Sequence, residues 1–208
     1  MRFPIAALLT LALAGCTTSS GDPSAGFLND TIAQAYIPLE GRTYVVMENR
    51  GAAFVIAPGI AVTNAHNGDY LGPVALIGTS RNYDLLFFHV DKNLTPPSAA
   101  PSVGERVIAY GQGSHGEVRF AVGVVRALSA PVEARCQTCS VQSVFTFEGN
   151  AGPGFSGGPV VDAASGQLVG ITFGYLDPNG HRLMYAYPIS RVRNELATIT
   201  GHLPVGVD

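Results

Sequence analysis

Pro153-Gly154-Phe155-Ser156-Gly157-Gly158-Pro159 sets one serine inside a run of glycines. A serine hydroxyl is a poor nucleophile until a base takes its proton and donors stabilise the oxyanion that its attack creates. Glycine on both sides frees the backbone to take positive φ, so that N–H groups can converge on one small space. By itself such a stretch fits a plain turn as well as a catalytic loop. Two features upstream bear on that choice. Ile60-Ala61-Val62-Thr63-Asn64-Ala65-His66 delivers a histidine at the end of an apolar strand, on a turn of small residues. Asn82-Tyr83-Asp84-Leu85-Leu86-Phe87-Phe88 places an acid at the mouth of another. Either alone reads as an ordinary structural residue. All three together, in the order His, Asp, Ser, call for a different reading from either alone.

The rest of the body is built of short apolar runs bounded by turn residues. Strands are predicted at 43–47, 53–57, 61–63, 74–77, 85–90, 106–110, 118–121, 124–128, 141–147, 159–161, 168–172 and 183–187. Their length and spacing suit an all-β antiparallel barrel or sandwich, not β-α-β units. Pro58-Gly59 marks a tight turn. One helix is predicted over 189–198, with Pro188 before it and Ser190 as its N-cap. Asn93-Leu94-Thr95-Pro96-Pro97-Ser98-Ala99-Ala100-Pro101 has three prolines and no strand character, and reads as a crossover between two halves.

Composition excludes several classes. The 208 residues carry 12 Lys+Arg against 15 Asp+Glu, and 47% are hydrophobic. Such a chain buries enough surface to fold, which excludes a disordered protein. Without a basic cluster it has no means of neutralising phosphates, so no nucleic-acid partner is expected.

The three motifs together resemble the trypsin-like serine peptidases of the chymotrypsin fold, over roughly residues 36 to 200. Pro153 before the first glycine, Gly111-Gln112-Gly113 and Tyr185-Ala186-Tyr187-Pro188 resemble the bacterial HtrA (DegP-like) branch. The resemblance implies two six-stranded antiparallel β-barrels, one over 36–95 and one over 96–208 with a short C-terminal helix. It implies Ser156 as nucleophile, His66 as general base and then acid, and Asp84 as the residue that orients His66. The N–H groups of Gly154 and Ser156 would form the oxyanion hole. No cofactor and no metal are implied, and the partners would be protein or peptide substrates; oligomeric state is not legible. No PDZ module is expected after residue 208.

The chain departs from the family pattern in two places. Only 17 residues lie between His66 and Asp84, so loop length is lost there; Asp69 and Asp91 are weaker alternatives for the acid. Phe155 stands where Asp or Asn is usual. That acid pairs with a freshly cut N-terminal amine in zymogen-activated members, and Phe cannot, which leaves open how the oxyanion site is held. By resemblance, the specificity pocket is walled by Asn150, Thr172, Phe173, Gly174 and Leu183. With Asn150 at its base and Leu183 filling part of it, a shallow apolar site for small side chains is expected. A catalytically silent relative acting as a membrane-tethered binding module is the alternative. A lipase-type reading of Gly154-Phe155-Ser156-Gly157-Gly158 fails because Gly157-Gly158-Pro159 would break the helix that must follow the serine.

The N-terminus has a different character. Met1-Arg2 followed by an apolar run to Leu13 is too short to span a bilayer. Leu13-Ala14-Gly15-Cys16 resembles the bacterial lipobox, implying a signal peptide over 1–15 and acylation of Cys16. Several acyl chains anchor stably where one would not. Thr17 after the cysteine favours the outer membrane under the Gram-negative sorting rule. Residues 16–35 are expected to be a flexible tether, holding the folded part about 15–20 Å from the lipid. Cys136-Gln137-Thr138-Cys139 lacks a second ligand pair for zinc. In an exported protein it reads as a small disulfide, Cys136 to Cys139.

Overall fold

The computed structural model describes residues 20–24, 26–40, 50–130, 144–177 and 182–201. Two antiparallel sheets carry the fold. The first holds β2 (Tyr36–Glu40), β3 (Arg50–Ala57), β4 (Ile60–Thr63), β5 (Leu76–Thr79) and β6 (Leu86–His89), in the order β2-β3-β4-β6-β5. The second holds β7 (Arg106–Gln112), β8 (Val118–Ala127), β9 (Phe145–Glu148), β10 (Pro159–Asp162), β11 (Leu168–Leu176) and β12 (Leu183–Pro188). Its order is β8-β7-β10-β11-β12-β9, and β9 returns to β8 to close a six-stranded barrel. Residues 93–101 cross between the halves as expected; they are tied to the second by bonds between the Pro97 carbonyl and the Leu168 N–H and between the Ala99 N–H and the Leu168 carbonyl.

Side-chain alternation sorts the apolar residues into three cores. Val107, Val125, Phe145, Phe147, Phe155 and Val160 fill the second barrel. Leu39, Ala53, Ala61, Leu86 and Phe88 fill a smaller interior in the first half. Between the halves, Phe54, Ile56, Phe87 and Tyr36 meet Tyr110, Ile171, Tyr185 and Tyr187 in a shared seam. A strand such as β3 is therefore buried on both faces.

Among the described residues the first half shows five strands; the strand expected at 43–47 lies outside them. Three expectations need correction. The strands expected at 118–121 and 124–128 are one strand, β8, paired with β7 without a break from Val118 to Val124. Residues 16–35 are not tether throughout. β1 (Asp22–Pro23) pairs with β8 at Phe120 and Arg119, and α1 (Asp30–Ala35) buries Ile32 and Ala35, with the Asn29 side chain capping the Ile32 N–H at 2.9 Å. Pro188, leading straight in from β12, holds the N-cap position of α2 (Ile189–Thr200) without a side-chain capping bond, so Ser190 sits within the first turn and is not the cap. Its Ile189 and Val192 close the seam.

Cys16, the signal segment 1–15, Cys136 and Cys139 lie outside the described residues.

Candidate active site

The antiparallel pairing of β4 with β6 sets Thr63 opposite Leu86, so the exit of one strand adjoins the entrance of the other. That register brings His66 and Asp84 together across the shortened loop. β4 runs into a 3-10 helix over Ala65–Tyr70, which carries His66. The Asp84 Oδ2 lies 2.5 Å from His66 Nδ1, and Oδ1 accepts the His66 backbone N–H at 3.0 Å. A carboxylate on Nδ1 keeps the proton there and leaves Nε2 as the acceptor. The His66 side chain is 47% exposed and that of Asp84 20%, so the pair is reachable from solvent. Asp69 and Asp91 are exposed, and neither pairs with His66.

Asp84 is held by more than His66. The Asn64 Nδ2 donates to the Asp84 carbonyl at 2.9 Å, and the Asp84 N–H donates to the Tyr187 hydroxyl at 3.3 Å. Burial pushes the Tyr187 phenol far above its ordinary range, so it stays neutral. Ser80 accepts the N–H groups of Asn82 and Tyr83 and donates its hydroxyl to the buried Glu195 of α2 at 2.7 Å.

Ser156 lies on the seam. Gly154 at φ +93° and Gly157 at φ +81° turn the chain sharply on either side of it. A side chain at Gly157 would sit 2.0 Å from the Ala52 carbonyl, which is why that position must be glycine. The Gly157 N–H donates to Thr172 at 2.8 Å and the Gln112 N–H to Gly154 at 2.9 Å, binding the loop to the second barrel. The Ser156 carbonyl accepts the Ala52 N–H and the Asn67 side chain, both at 2.9 Å, binding it to the first sheet. Among the described residues neither the Gly154 nor the Ser156 N–H donates to another protein group.

Phe155 is fully buried in the second barrel's interior. Gly21 and Gly111 press against its ring, each so close that a Cβ would lie 2.5 Å from a ring carbon. The loop next to Ser156 is thus held by apolar packing, and one partner comes from the segment around β1. That segment touches the expected pocket as well: Gly21 N–H donates to the Asn150 carbonyl at 2.9 Å, and Arg182 Nη1 reaches Ser20 Oγ at 3.0 Å and the Ala151 carbonyl at 3.2 Å.

Of the other pocket residues, Thr172 is buried, and a bulge after it displaces Phe173, which stacks on Tyr187 at 4.2 Å. Gly174 faces open space, and Leu183 is half-buried against the seam. The sequence reading missed Asn67, Arg182, Glu195 and the β1 segment. Each acts through a partner far along the chain and leaves no local pattern.

Residues 67–171 match the family model of the trypsin-like peptidase domain. The chain belongs to this family and has the chymotrypsin-like fold of the HtrA-type proteases. Asp84 and Ser156 fall inside the matched span, and His66 directly precedes it. Among solved structures, the chain is similar to the HtrA-type protease AlgW with a tripeptide, at TM-score 0.67 and 19% identity, over 84% of this chain and 63% of that one. It therefore spans under two thirds of that relative's length. It is also similar to the active form of the Rv3671c protease from M. tuberculosis, at TM-score 0.63 and 22% identity, covering 89% and 91% of the two chains. The MamO protease domain from Magnetospirillum magneticum gives TM-score 0.62 and 19% identity, over 78% and 95%. No curated protein matches the sequence.

Proposed function

We propose that the protein is a serine endopeptidase that cleaves peptide bonds through an acyl-enzyme, tethered to a bacterial envelope by acylated Cys16. The observation that carries this reading is the His66–Asp84 pair beside a serine whose loop is hydrogen-bonded to the turn bearing His66. His66 Nε2 takes the Ser156 hydroxyl proton as Oγ bonds to the peptide carbonyl carbon. The carbonyl π electrons move onto oxygen, and the Gly154 and Ser156 N–H groups stabilise that oxyanion. As the tetrahedral species collapses, the C–N bond breaks and His66 returns the proton to the leaving amine. Water, deprotonated by His66 in turn, then hydrolyses the ester. Asp84 holds the tautomer and stabilises the imidazolium.

A fluorophosphonate probe labels Ser156 in the wild type, and Ser156→Ala or His66→Ala each lowers peptide hydrolysis on the order of 10⁴–10⁶-fold, because the members act as a unit. Asp84→Asn loses a comparable share by favouring the wrong tautomer. Undiminished hydrolysis by Ser156→Ala would refute the assignment. A folded wild type that never labels would point to the silent, binding-only alternative.

For the tether, Cys16→Ser releases the protein from the membrane fraction, in the outer-membrane, periplasm-facing location that Thr17 favours. Retention there would refute the anchor.

A further inference from the structure

We propose that Asn67 is the positioning residue for the nucleophile, its side-chain amide joining the turn that carries His66 to the backbone of Ser156. The inference rests on the serine peptidase reading and adds a residue that the triad does not include.

Asn67 follows His66 in the same 3-10 turn, its own N–H donating to the Asn64 carbonyl at 3.0 Å. The two side chains part: His66 is exposed, while Asn67 is 1% exposed. The Asn67 Nδ2 lies 2.9 Å from the Ser156 carbonyl oxygen and 3.0 Å from Thr63 Oγ1. Thr63 donates its one hydroxyl proton to the Ala52 carbonyl at 2.7 Å, so towards Asn67 it can only accept. Two acceptors thus face one NH₂ group, which determines how the amide is turned. The Ala52 N–H donates to the same Ser156 carbonyl, so both lone pairs of that oxygen are engaged from the first sheet.

Room is left for this amide on two sides. A Cβ at Gly51 would lie 2.5 Å from Nδ2 and one at Gly157 2.9 Å from it. The arrangement also carries a cost. The Asn67 Oδ1 is buried without a partner among the described residues, and an orphaned buried acceptor is destabilising where an apolar side chain would not be. A residue kept only for packing would not need that orphan; one kept for its two donors would.

The consequence is geometric. His66 comes from the first sheet and Ser156 from the second barrel's loop. The Ala52 N–H ties that loop to the sheet at the Ser156 carbonyl, and the Asn67 amide adds a second bond there, one peptide link from His66. A misplacement near 1 Å between reacting groups costs about 10²-fold in rate.

The test uses the full chain in detergent, with the rate of fluorophosphonate acylation of Ser156 and the kcat and KM for a peptide ester as readouts. Asn67→Leu, which keeps the volume and removes both donors, lowers the acylation rate and kcat about 10- to 100-fold while KM stays within about threefold. Asn67→Asp falls at least as far, because its oxygens face the two acceptors. Val192→Ala in the seam is the stability control; it lowers Tm and keeps the wild-type acylation rate. Wild-type rates in folded Asn67→Leu, a change in KM alone, or an equal rate loss in the control would each overturn the proposal. Should Asn67→Leu not fold, the wild-type side-chain amide signals decide. Slow solvent exchange of the Asn67 Nδ2 protons, with a shift on acylation, supports the role; exchange as fast as that of exposed Asn82 overturns it. A wild type that does not label refutes the peptidase reading itself, whereas equal labelling of wild type and variant refutes only the role of Asn67.

Discussion

Tyr36 shows what a single buried hydroxyl does to this seam. Its ring packs against Phe27 at a centroid distance of 5.0 Å, and its hydroxyl has no partner among the described residues. A hydroxyl removed from water without a hydrogen bond is a net cost. Tyr36→Phe keeps the ring and should raise unfolding stability by about 1 kcal/mol, read from the denaturant midpoint at pH 7. The same residue sets an alkaline limit. Burial raises its phenol well above the ordinary 10.0, so the neutral form is the one that folds. A folded-state pKa raised above the unfolded value gives a contribution that is complete below the unfolded pKa and lost as pH climbs towards the folded one. Wild-type stability should therefore fall above pH 10 as the unfolded phenol ionises, and Tyr36→Phe should fall less steeply. Buried Tyr187 adds the same dependence to both proteins. Parallel curves for wild type and variant between pH 9 and 11 would contradict this account.

β1 is only two residues long, yet it couples the start of the described chain to the serine loop. β8 exceeds β9 in length, and β1 takes up the pairing edge that β9 leaves, with Asp22 opposite Phe120. Arg119 then clamps the segment, its Nε donating to the Ser20 carbonyl at 2.7 Å and its Nη2 to the Gly21 carbonyl. Gly21 has φ +68°, and a Cβ there would lie 2.5 Å from the Phe155 ring and 2.7 Å from the Phe120 carbonyl. Gly21→Val meets strained backbone and two close contacts at once. It should cost about 1–3 kcal/mol and detach residues 20–24. With one side of Phe155 uncovered, Ser156 should acylate more slowly, and limited proteolysis should cut near residue 24. Wild-type acylation together with wild-type protease resistance would show that the segment is merely attached. α2 performs a comparable service for the acid, since its Glu195 holds Ser80 and through it the turn before Asp84.

The two halves meet so that the candidate catalytic groups lie at their junction and the expected specificity pocket lies in the second barrel. That pocket has no acid at its base. Arg182 adds a cation, its guanidinium donating to the Ala151 carbonyl and to that of Asn150 at 3.4 Å. Arg182 is itself paired with Asp177 at 3.3 Å, and with Asn150 where an acid would be needed, a Lys or Arg side chain entering there should find no free carboxylate and be penalised. With Phe173 stacked on Tyr187, Gly174 facing open space and Leu183 half-buried, the pocket is expected to take small side chains such as Ala or Val. Cleavage profiling with a peptide library should therefore favour small apolar residues before the cut bond. Preferences there should be modest, since one methylene is worth only ~1–3 kcal/mol in such a pocket. A profile dominated by Lys or Arg would refute the pocket assignment.

His66, Asp84 and Ser156 could be picked out as candidates from residue order because each sits where a strand meets a turn, and such junctions demand small or glycine neighbours that show in a short window. The strands of both sheets and the helix after Pro188 were legible for a similar reason, since burial of one face imprints an alternation on the element itself. The continuity of β8 and the docking of β1 were not. β8 is one strand because β7 pairs with it without a break, and β1 is a strand because Phe120 and Arg119 offer it an edge and a clamp. Neither cause is written in the segment it acts upon. Asn67 is the sharpest case: in a short window it is one more polar turn residue, and its amide acquires a purpose only when folding brings it to Ser156, 89 positions further on. A hydrogen-bond donor carries no record of where its acceptor will be, so such partners arise only when the two halves close on each other.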